Sequence, residues 1–236
     1  MINSIRNWRI FTFTSVLTIN ILALLFLTFS HWPEWWRNIN FEDSHLTWFS
    51  SVQLIMIGFA SISCFFWSTI LGTYNSFVDK YLFGAMGCGF IFLSLDEKFM
   101  IHERLREKVF IPNEIGTEIT GVGAGDFLHL VIAAVGLVVS YFIIKQIKAS
   151  KLSLTFYCCA VGLALYSVIT DATMPIPPAD AILTEAEITT GRLHQFTEEI
   201  LETFAQAFFL MSFINLSFER LELFAIKYTN KVEEDL

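Results

Sequence analysis

The chain has 236 residues, a formal net charge of -8 and 54% hydrophobic residues, among them 25 phenylalanines. Its mean hydropathy of +0.56 lies far above that of soluble domains. This composition excludes a soluble globular enzyme, and no stretch is basic enough for a nucleic-acid partner. The four cysteines lie inside apolar runs, as packing residues do, and form neither a disulfide framework nor a zinc motif. The chain is therefore predicted to be an all-α, polytopic membrane bundle.

Six apolar runs approach the roughly twenty residues that cross a hydrocarbon core of about 30 Å. They predict a single integral membrane domain, 1–236, with transmembrane helices at about 10–29, 48–71, 81–97, 127–144, 152–170 and 199–218. The first run lacks a cleavage site and is expected to remain as an anchor.

The ends of two predicted helices lie outside the apolar runs. The third helix is expected to continue without a break to about Val109, and its glycines 84, 87 and 89 should let a neighbouring helix approach closely. The last helix is expected to run from about Arg192 to Glu219, followed by a solvated tail.

The basic residues predict the orientation. With the N-terminus in the cytoplasm, nine of the 15 Lys and Arg residues fall on the inner side, in the short segments that the positive-inside rule weighs most. This favours both termini in the cytoplasm of a bacterial inner membrane. All five histidines then fall on the extracytoplasmic side.

A polar segment at the end of the predicted third helix is the centre of the candidate site. This segment is residues 92–103, FLSLDEKFMIHE. It begins with apolar residues typical of a transmembrane helix and becomes acidic without an intervening helix breaker. At about 100° per residue, Asp96 and Glu103 would lie within roughly 20° of each other, with His102 at the edge. One helix is thus predicted to present two carboxylates and an imidazole to a neighbour.

The last helix carries polar residues along one face, which we call the polar lane. His194, Glu198 and Glu202 repeat at four-residue spacing, and Gln206 continues the series. An ionisable group inside hydrocarbon costs a few kcal/mol unless it is paired or faces a cavity, so this lane should face protein. We expect it to meet the acidic face of residues 92–103, closely enough to share a ligand or a hydrogen-bond network.

Imidazole and carboxylate groups at one membrane level are the ligand types of zinc and non-haem iron. A divalent metal, zinc first, is therefore the expected cofactor. The candidate ligands are Asp96, His102, Asp126, His129, Asp171, His194 and Glu202. Glu103 and Glu198 are candidate general bases, and Ser94 is a candidate nucleophile or proton partner. The alternative is a polar rim that only solvates the loops and favours the helix dipoles.

The LDE-x4-HE run and the EE-x2-E opening of the last helix, LDEKFMIHE and TEEILE, resemble a group of uncharacterised bacterial multi-spanning membrane proteins. The chain is more distantly similar to alkaline-ceramidase-type membrane hydrolases. Those hold zinc with histidines and an aspartate in a helical bundle, but with a different histidine pattern. That second similarity is one of class, and it implies no site residue here.

Three functions are consistent with these patterns. The first is a metal-dependent, hydrolase-like membrane enzyme that acts on a lipid or other amphipathic substrate from the outer leaflet. The second is a proton or cation conduit, and the third is a non-catalytic sensor or complex subunit. The apolar inner half of the last helix, AFFLMSFINLSF, favours a one-sided site. The expected partners are membrane lipids, with a second copy of the chain or another membrane protein as open alternatives.

Overall fold

The computed structural model describes residues 2–40, 44–72, 77–113, 115, 127–173 and 184–234. The regular elements in these ranges are all helical, which confirms the all-α prediction. They are α1 Ile2–Phe29, α2 His45–Leu71, α3 Phe77–Phe99, α4 Ile101–Leu105, α5 Phe127–Ile147, α6 Lys151–Thr173 and α7 Glu185–Glu234, with a π-helical turn at Arg106–Phe110. Among the described residues, five helices (α1, α2, α5, α6 and α7) are long and apolar enough to cross a membrane.

Helix α3 lies antiparallel along α2. Near one end of the pair the Ser94 hydroxyl donates to the Ser51 carbonyl over 2.8 Å, and near the other end the Ser61 hydroxyl donates to the Phe83 carbonyl, also over 2.8 Å. The two backbones come close where Gly58 of α2 faces Gly87 of α3, because neither residue carries a Cβ. The close approach predicted for Gly87 is therefore confirmed, whereas the one predicted for Gly89 is wrong, because an added Cβ there would meet no atom within 4 Å.

Helix α7 is the centre of the bundle and packs against α1, α2 and α6. The middle of the core is filled by rings from three helices, whose centroids lie 5.3 to 6.2 Å apart in consecutive contacts. We call this the aromatic core; its members are Phe83, Phe90, Tyr157, Phe209 and Phe213. Edge-to-face contacts of this kind add to the free energy gained by burying the rings.

A second apolar cluster covers the end of α1, the start of α2 and the first half of α7; we call this end of the bundle, where α1 ends, its outer end. It joins buried Leu24, Leu27, Ile39 and Leu46 to Phe196, Ile200 and Phe204 of α7. The Arg192 guanidinium stacks 3.9 Å above the Trp36 ring, and the Asn40 side-chain amide donates to the Arg192 carbonyl over 2.7 Å. These contacts hold the outer part of α7 against the segment that follows α1.

The predicted uninterrupted third helix is wrong. Helix α3 ends at Phe99, and Met100 adopts a left-handed conformation with φ 50° and ψ 48° before α4 begins. The physical reason is a cap: the Asp96 carboxylate accepts the His102 backbone N–H over 2.8 Å, which satisfies a donor at the start of α4.

The last helix is longer than predicted at both ends. At its outer end Thr184 and Glu187 form a capping box, in which the Glu187 carboxylate accepts from the Thr184 N–H over 2.8 Å and from its hydroxyl over 2.7 Å. At the other end the helix continues to Glu234, so the predicted solvated tail is helical up to that residue.

Candidate acid–base site at the end of α3

The strongest candidate site is a carboxylate–imidazole pair at the end of α3. Asp96 is only 8% exposed, and its Oδ2 atom lies 3.0 Å from Nδ1 of His102, six residues later. The left-handed Met100 turns the chain so that the imidazole returns to the carboxylate. A non-glycine residue in this conformation costs about 1–2 kcal/mol, and such strain is often found where a functional geometry is maintained.

Glu103 and Arg106 lie beyond the imidazole. The Glu103 Oε1 atom is 3.8 Å from Nε2 of His102, too far for a hydrogen bond, and it accepts from the Arg106 guanidinium over 2.9 Å. In the tautomer in which Nδ1 carries the proton and donates it to Asp96, Nε2 carries a lone pair that can accept a proton or bind a metal ion. An imidazole fixed in this way by a carboxylate is the arrangement found in general bases and in metal-ligating histidines.

Ser94, the predicted nucleophile, is 1% exposed and lies inside the α2–α3 interface. Its hydroxyl proton is donated to the Ser51 carbonyl, so the side chain cross-links two helices. Ser94 thus holds α3 against α2, and its role as a nucleophile or proton partner stays a prediction.

The predicted polar lane of α7 has contacts of its own. Nε2 of His194 lies 3.3 Å from the Thr170 carbonyl oxygen of α6. Glu198 is half-buried, and Glu202 accepts from the Gln206 side-chain amide over 3.2 Å. The predicted contact between this lane and the acidic face of residues 92–103 stays a prediction.

Three of the predicted metal ligands cannot be placed. Asp126 lies outside the described residues, and His129 and Asp171 lie in α5 and α6 with side chains outside the described set. In the part of the chain that the structure describes, no group of three or more His, Cys, Asp or Glu residues could hold a metal ion. A zinc site therefore stays a prediction, and it would need at least one side chain outside the described set.

Sequence reasoning missed most of a polar cluster in the outer half of the bundle, whose members are buried except for the half-buried Glu202. We call it the outer polar layer and define it as Asn20, Ser50, Gln53, Glu202 and Gln206. The Gln53 side-chain amide donates to the Asn20 side-chain oxygen, and the Gln206 amide donates to the Ser50 hydroxyl and to Glu202. An amide within an apolar run, as at Asn20 and Gln53, is the signal that could have found it.

A second polar cluster links α7 to the start of α6. The Asn215 side-chain nitrogen lies 2.8 Å from Ser153 Oγ, 2.9 Å from Glu219 Oε1 and 3.2 Å from Ser150 Oγ. The Ser150 hydroxyl also donates to Glu219 over 2.9 Å. We call these four residues the inner amide cluster. The aromatic core lies between it and the outer polar layer.

The comparisons with known proteins give one match. No curated protein and no solved structure matches the chain. The match is to a family model that covers residues 11–216, which is most of the chain and includes α2 to α6 and the carboxylate–imidazole pair. The chain therefore belongs to the family described as Domain of unknown function (DUF8692).

Proposed function

We propose that this protein is a membrane-embedded, hydrolase-like enzyme that acts on a lipid or other amphipathic substrate from the extracytoplasmic leaflet. The observation that carries the proposal is the pairing of His102 with Asp96 across the strained Met100 turn. Asp96 orients the imidazole, and Nε2, which lies 3.8 Å from Glu103 Oε1, is the atom that accepts a proton from the substrate or from water.

The surroundings of this pair support an amphipathic substrate. Large apolar side chains are exposed on both sides of it along the chain: Phe99, Leu105, Val109 and Ile111. A polar pair flanked by exposed apolar surface fits a substrate that has a polar group on a hydrocarbon chain.

The proposed reaction uses only this chain's residues and water. The water oxygen attacks the acyl or phosphoryl centre and forms the new bond while its proton passes to Nε2 of His102. The same nitrogen returns the proton to the leaving oxygen as the old bond breaks. Glu103 Oε1 lies 3.8 Å from Nε2 of His102 and accepts from the Arg106 guanidinium over 2.9 Å, so this guanidinium is the cation that can stabilise negative charge developing near the imidazole.

A conduit is the weaker candidate. The aromatic core separates the outer polar layer from the inner amide cluster, and closely packed rings are a poor path for protons or cations. This packing supports a one-sided site.

Removing the imidazole should abolish most of the activity. The protein would be reconstituted with vesicles of phosphatidylethanolamine, phosphatidylglycerol and cardiolipin, and the products would be followed by mass spectrometry. We expect His102→Ala and Asp96→Asn each to lower turnover about 100-fold or more, as loss of a general base does. His45→Ala is the matched control, because this exposed imidazole begins α2.

Two outcomes would contradict the proposal. One is that the parent protein leaves every lipid unchanged, and the other is that His102→Ala turns over as fast as the parent. Nitrogen-15 NMR of the histidine rings adds a substrate-free readout: we expect His102 protonated at Nδ1 in the parent, and this preference lost in Asp96→Asn. Elemental analysis of protein purified without chelators tests separately whether the protein binds zinc.

We further propose that α3 is a sixth membrane-spanning helix and that both termini are cytoplasmic in a bacterial inner membrane. Contacts between α3 and α2 at both ends of the pair, from Ser61–Phe83 to Ser51–Ser94, support the sixth span. The distribution of basic residues supports the orientation.

Reporter fusions test this topology. Fusions after Lys151 and after Leu236 should both report cytoplasm, and a fusion after Ile111 should report the opposite side. An extracytoplasmic signal at either of the first two positions would overturn the orientation and move the carboxylate–imidazole pair to the cytoplasmic face.

A further inference from the structure

A groove lies between the end of α2 and the last turns of α7. It has a volume of about 220 Å³ and is lined by Ile70, Leu71, Phe224, Lys227 and Tyr228. Ile70 and Tyr228 are 58% and 64% exposed, so the groove is open along one side. A space of this size is too small to enclose a whole ligand, and it fits part of a chain that continues outside the groove.

The groove is apolar except at two positions. The Phe224 ring is held by Trp67 of α2, with ring centroids 5.6 Å apart, and by Tyr228 one turn later, with centroids 6.4 Å apart. The polar groups of the lining side chains are the Lys227 ammonium and the Tyr228 hydroxyl. Ligand sites are typically apolar with a few polar groups that fix the orientation of the ligand, and this groove has that composition.

The groove lies where α2 reaches the end of its apolar run. Helix α2 ends at Leu71, and Gly72 closes it in the left-handed conformation with φ 67°. The stretch from Ser51, which contacts Ser94 of α3, to Leu71 is about 30 Å long at 1.5 Å per residue. This length matches the thickness of a hydrocarbon core, so the groove lies at the boundary between hydrocarbon and water, at the end of the bundle opposite its outer end.

Lys227 has no acidic neighbour along α7. The positions three and four residues before and after it are occupied by Leu223, Phe224, Asn230 and Lys231. The Lys227 side chain is exposed, and it forms no ion pair or hydrogen bond within the part of the chain that the structure describes. The positive charge at the edge of the groove is therefore available to a ligand.

The acidic residues of this part of α7 lie on other faces of the helix. At about 100° per residue, Glu219 and Glu222 lie about 140° and 160° around the helix from Phe224. Lys227 lies only about 60° from Phe224 by the same measure. Glu219 also accepts from the Asn215 side-chain amide over 2.9 Å, as part of the inner amide cluster. The α7 face that lines the groove is therefore basic.

We propose that this groove binds an anionic phospholipid of the surrounding membrane. One acyl chain lies against Ile70, Leu71 and Phe224, and the negatively charged headgroup lies at Lys227. A phospholipid carries its apolar chain and its phosphate on the two sides of the same boundary at which the groove and the ammonium lie. A zwitterionic lipid offers the same chain without the net charge, so it should bind more weakly.

Native mass spectrometry of the full-length protein measures this preference. Detergent-purified protein would be incubated with equal amounts of phosphatidylglycerol and phosphatidylethanolamine that carry identical acyl chains, and the ratio of the two bound lipids would be measured. We expect about fivefold more phosphatidylglycerol, the contribution of one basic side chain near anionic lipid. Soluble glycerol phosphate should not displace the lipid, because it lacks the chain that occupies the groove.

Variants locate the binding site. Lys227→Gln should bring the ratio of the two lipids to about one, since it removes the charge and leaves an exposed polar side chain that the fold does not need. Lys145→Gln is the matched control and should retain the ratio, because this lysine lies near the end of α5, 4.2 Å above the Tyr141 ring and outside the groove. Leu71→Trp, which fills the groove, should lower the binding of both lipids.

Three results would overturn the inference: equal binding of the two lipids by the parent, a preference that survives Lys227→Gln, or displacement of the lipid by glycerol phosphate. The inference is independent of the proposed enzyme, because the groove and the carboxylate–imidazole pair lie at opposite ends of the bundle. His102→Ala should therefore retain the full preference for phosphatidylglycerol while it loses lipid turnover, and the two failures can be told apart.

Discussion

Replacing Gly87 with alanine should lower the free energy of unfolding by about 1–3 kcal/mol, the usual cost of overpacking a close interface. An added Cβ would lie 2.5 Å from Ile62 Cγ1 and 2.8 Å from the Gly58 carbonyl oxygen of α2. The isoleucine can change rotamer, but the carbonyl belongs to a helix backbone and moves only if α2 shifts. The intrinsic helix preference of alanine, about 1 kcal/mol, offsets only part of this cost.

Gly89→Ala is the matched control for this prediction. It makes the same chemical change two residues further along α3, at a position where an added Cβ meets no atom within 4 Å. Unfolding of both variants in mixed micelles, followed by circular dichroism, gives the comparison. Equal stability of the two variants would show that the α2–α3 backbones do not make the close contact described above.

Replacing Asn215 with leucine should cost about 1–3 kcal/mol, because it leaves buried oxygens without their donor. Asn215 is fully buried, and its nitrogen serves Ser153, Glu219 and Ser150. The partly buried carboxylate of Glu219 keeps only its hydrogen bond from Ser150. Ser150 and Ser153 lie at the start of α6, so loss of their hydrogen bonds to Asn215 should weaken the contact between α6 and α7.

A double-mutant cycle separates the hydrogen bond from the change in packing. Ser153→Ala and Asn215→Leu should show a coupling free energy of about 0.5–3 kcal/mol, since they share one contact. Thr155→Val, on the exposed face of α6, serves as the control and should add to Asn215→Leu without coupling. Additive behaviour of Ser153→Ala would contradict the described cluster.

The apolar runs were sufficient to predict most of the membrane helices, because length and hydropathy determine a span. Helix α2 begins at His45 and ends at Leu71, close to the prediction of 48–71. The close approach at Gly87 was also predictable, since a glycine in an apolar helix removes the atoms that keep two backbones apart.

The break at Met100 could not be predicted from the sequence. Methionine is a good helix former, and no proline or glycine marks the position. The turn depends on the side-chain contact between Asp96 and His102, and the helix propensities of single residues do not predict such a contact. The prediction assumed one continuous helix, in which Asp96 lies in line with Glu103 and His102 lies at the edge. The break at Met100 pairs Asp96 with His102 instead.

The outer start of α7 was missed for a different reason. The prediction began at Arg192, one residue after Gly191, which lies inside the helix and disfavours it locally. The Thr184–Glu187 capping box and the packing of the first turns outweigh that cost. The capping signature is present in the sequence and could have indicated the earlier start.

The length of α7 has a geometrical consequence. Its 50 residues form one helix that is about 75 Å long at 1.5 Å per residue, more than twice the thickness of a hydrocarbon core. Arg192 near one end is clamped by Trp36, while Tyr228 near the other end stacks on Phe224. Helix α7 is therefore long enough to extend beyond both faces of a bilayer, with the Trp36 contact near one end and the Phe224–Tyr228 stack near the other.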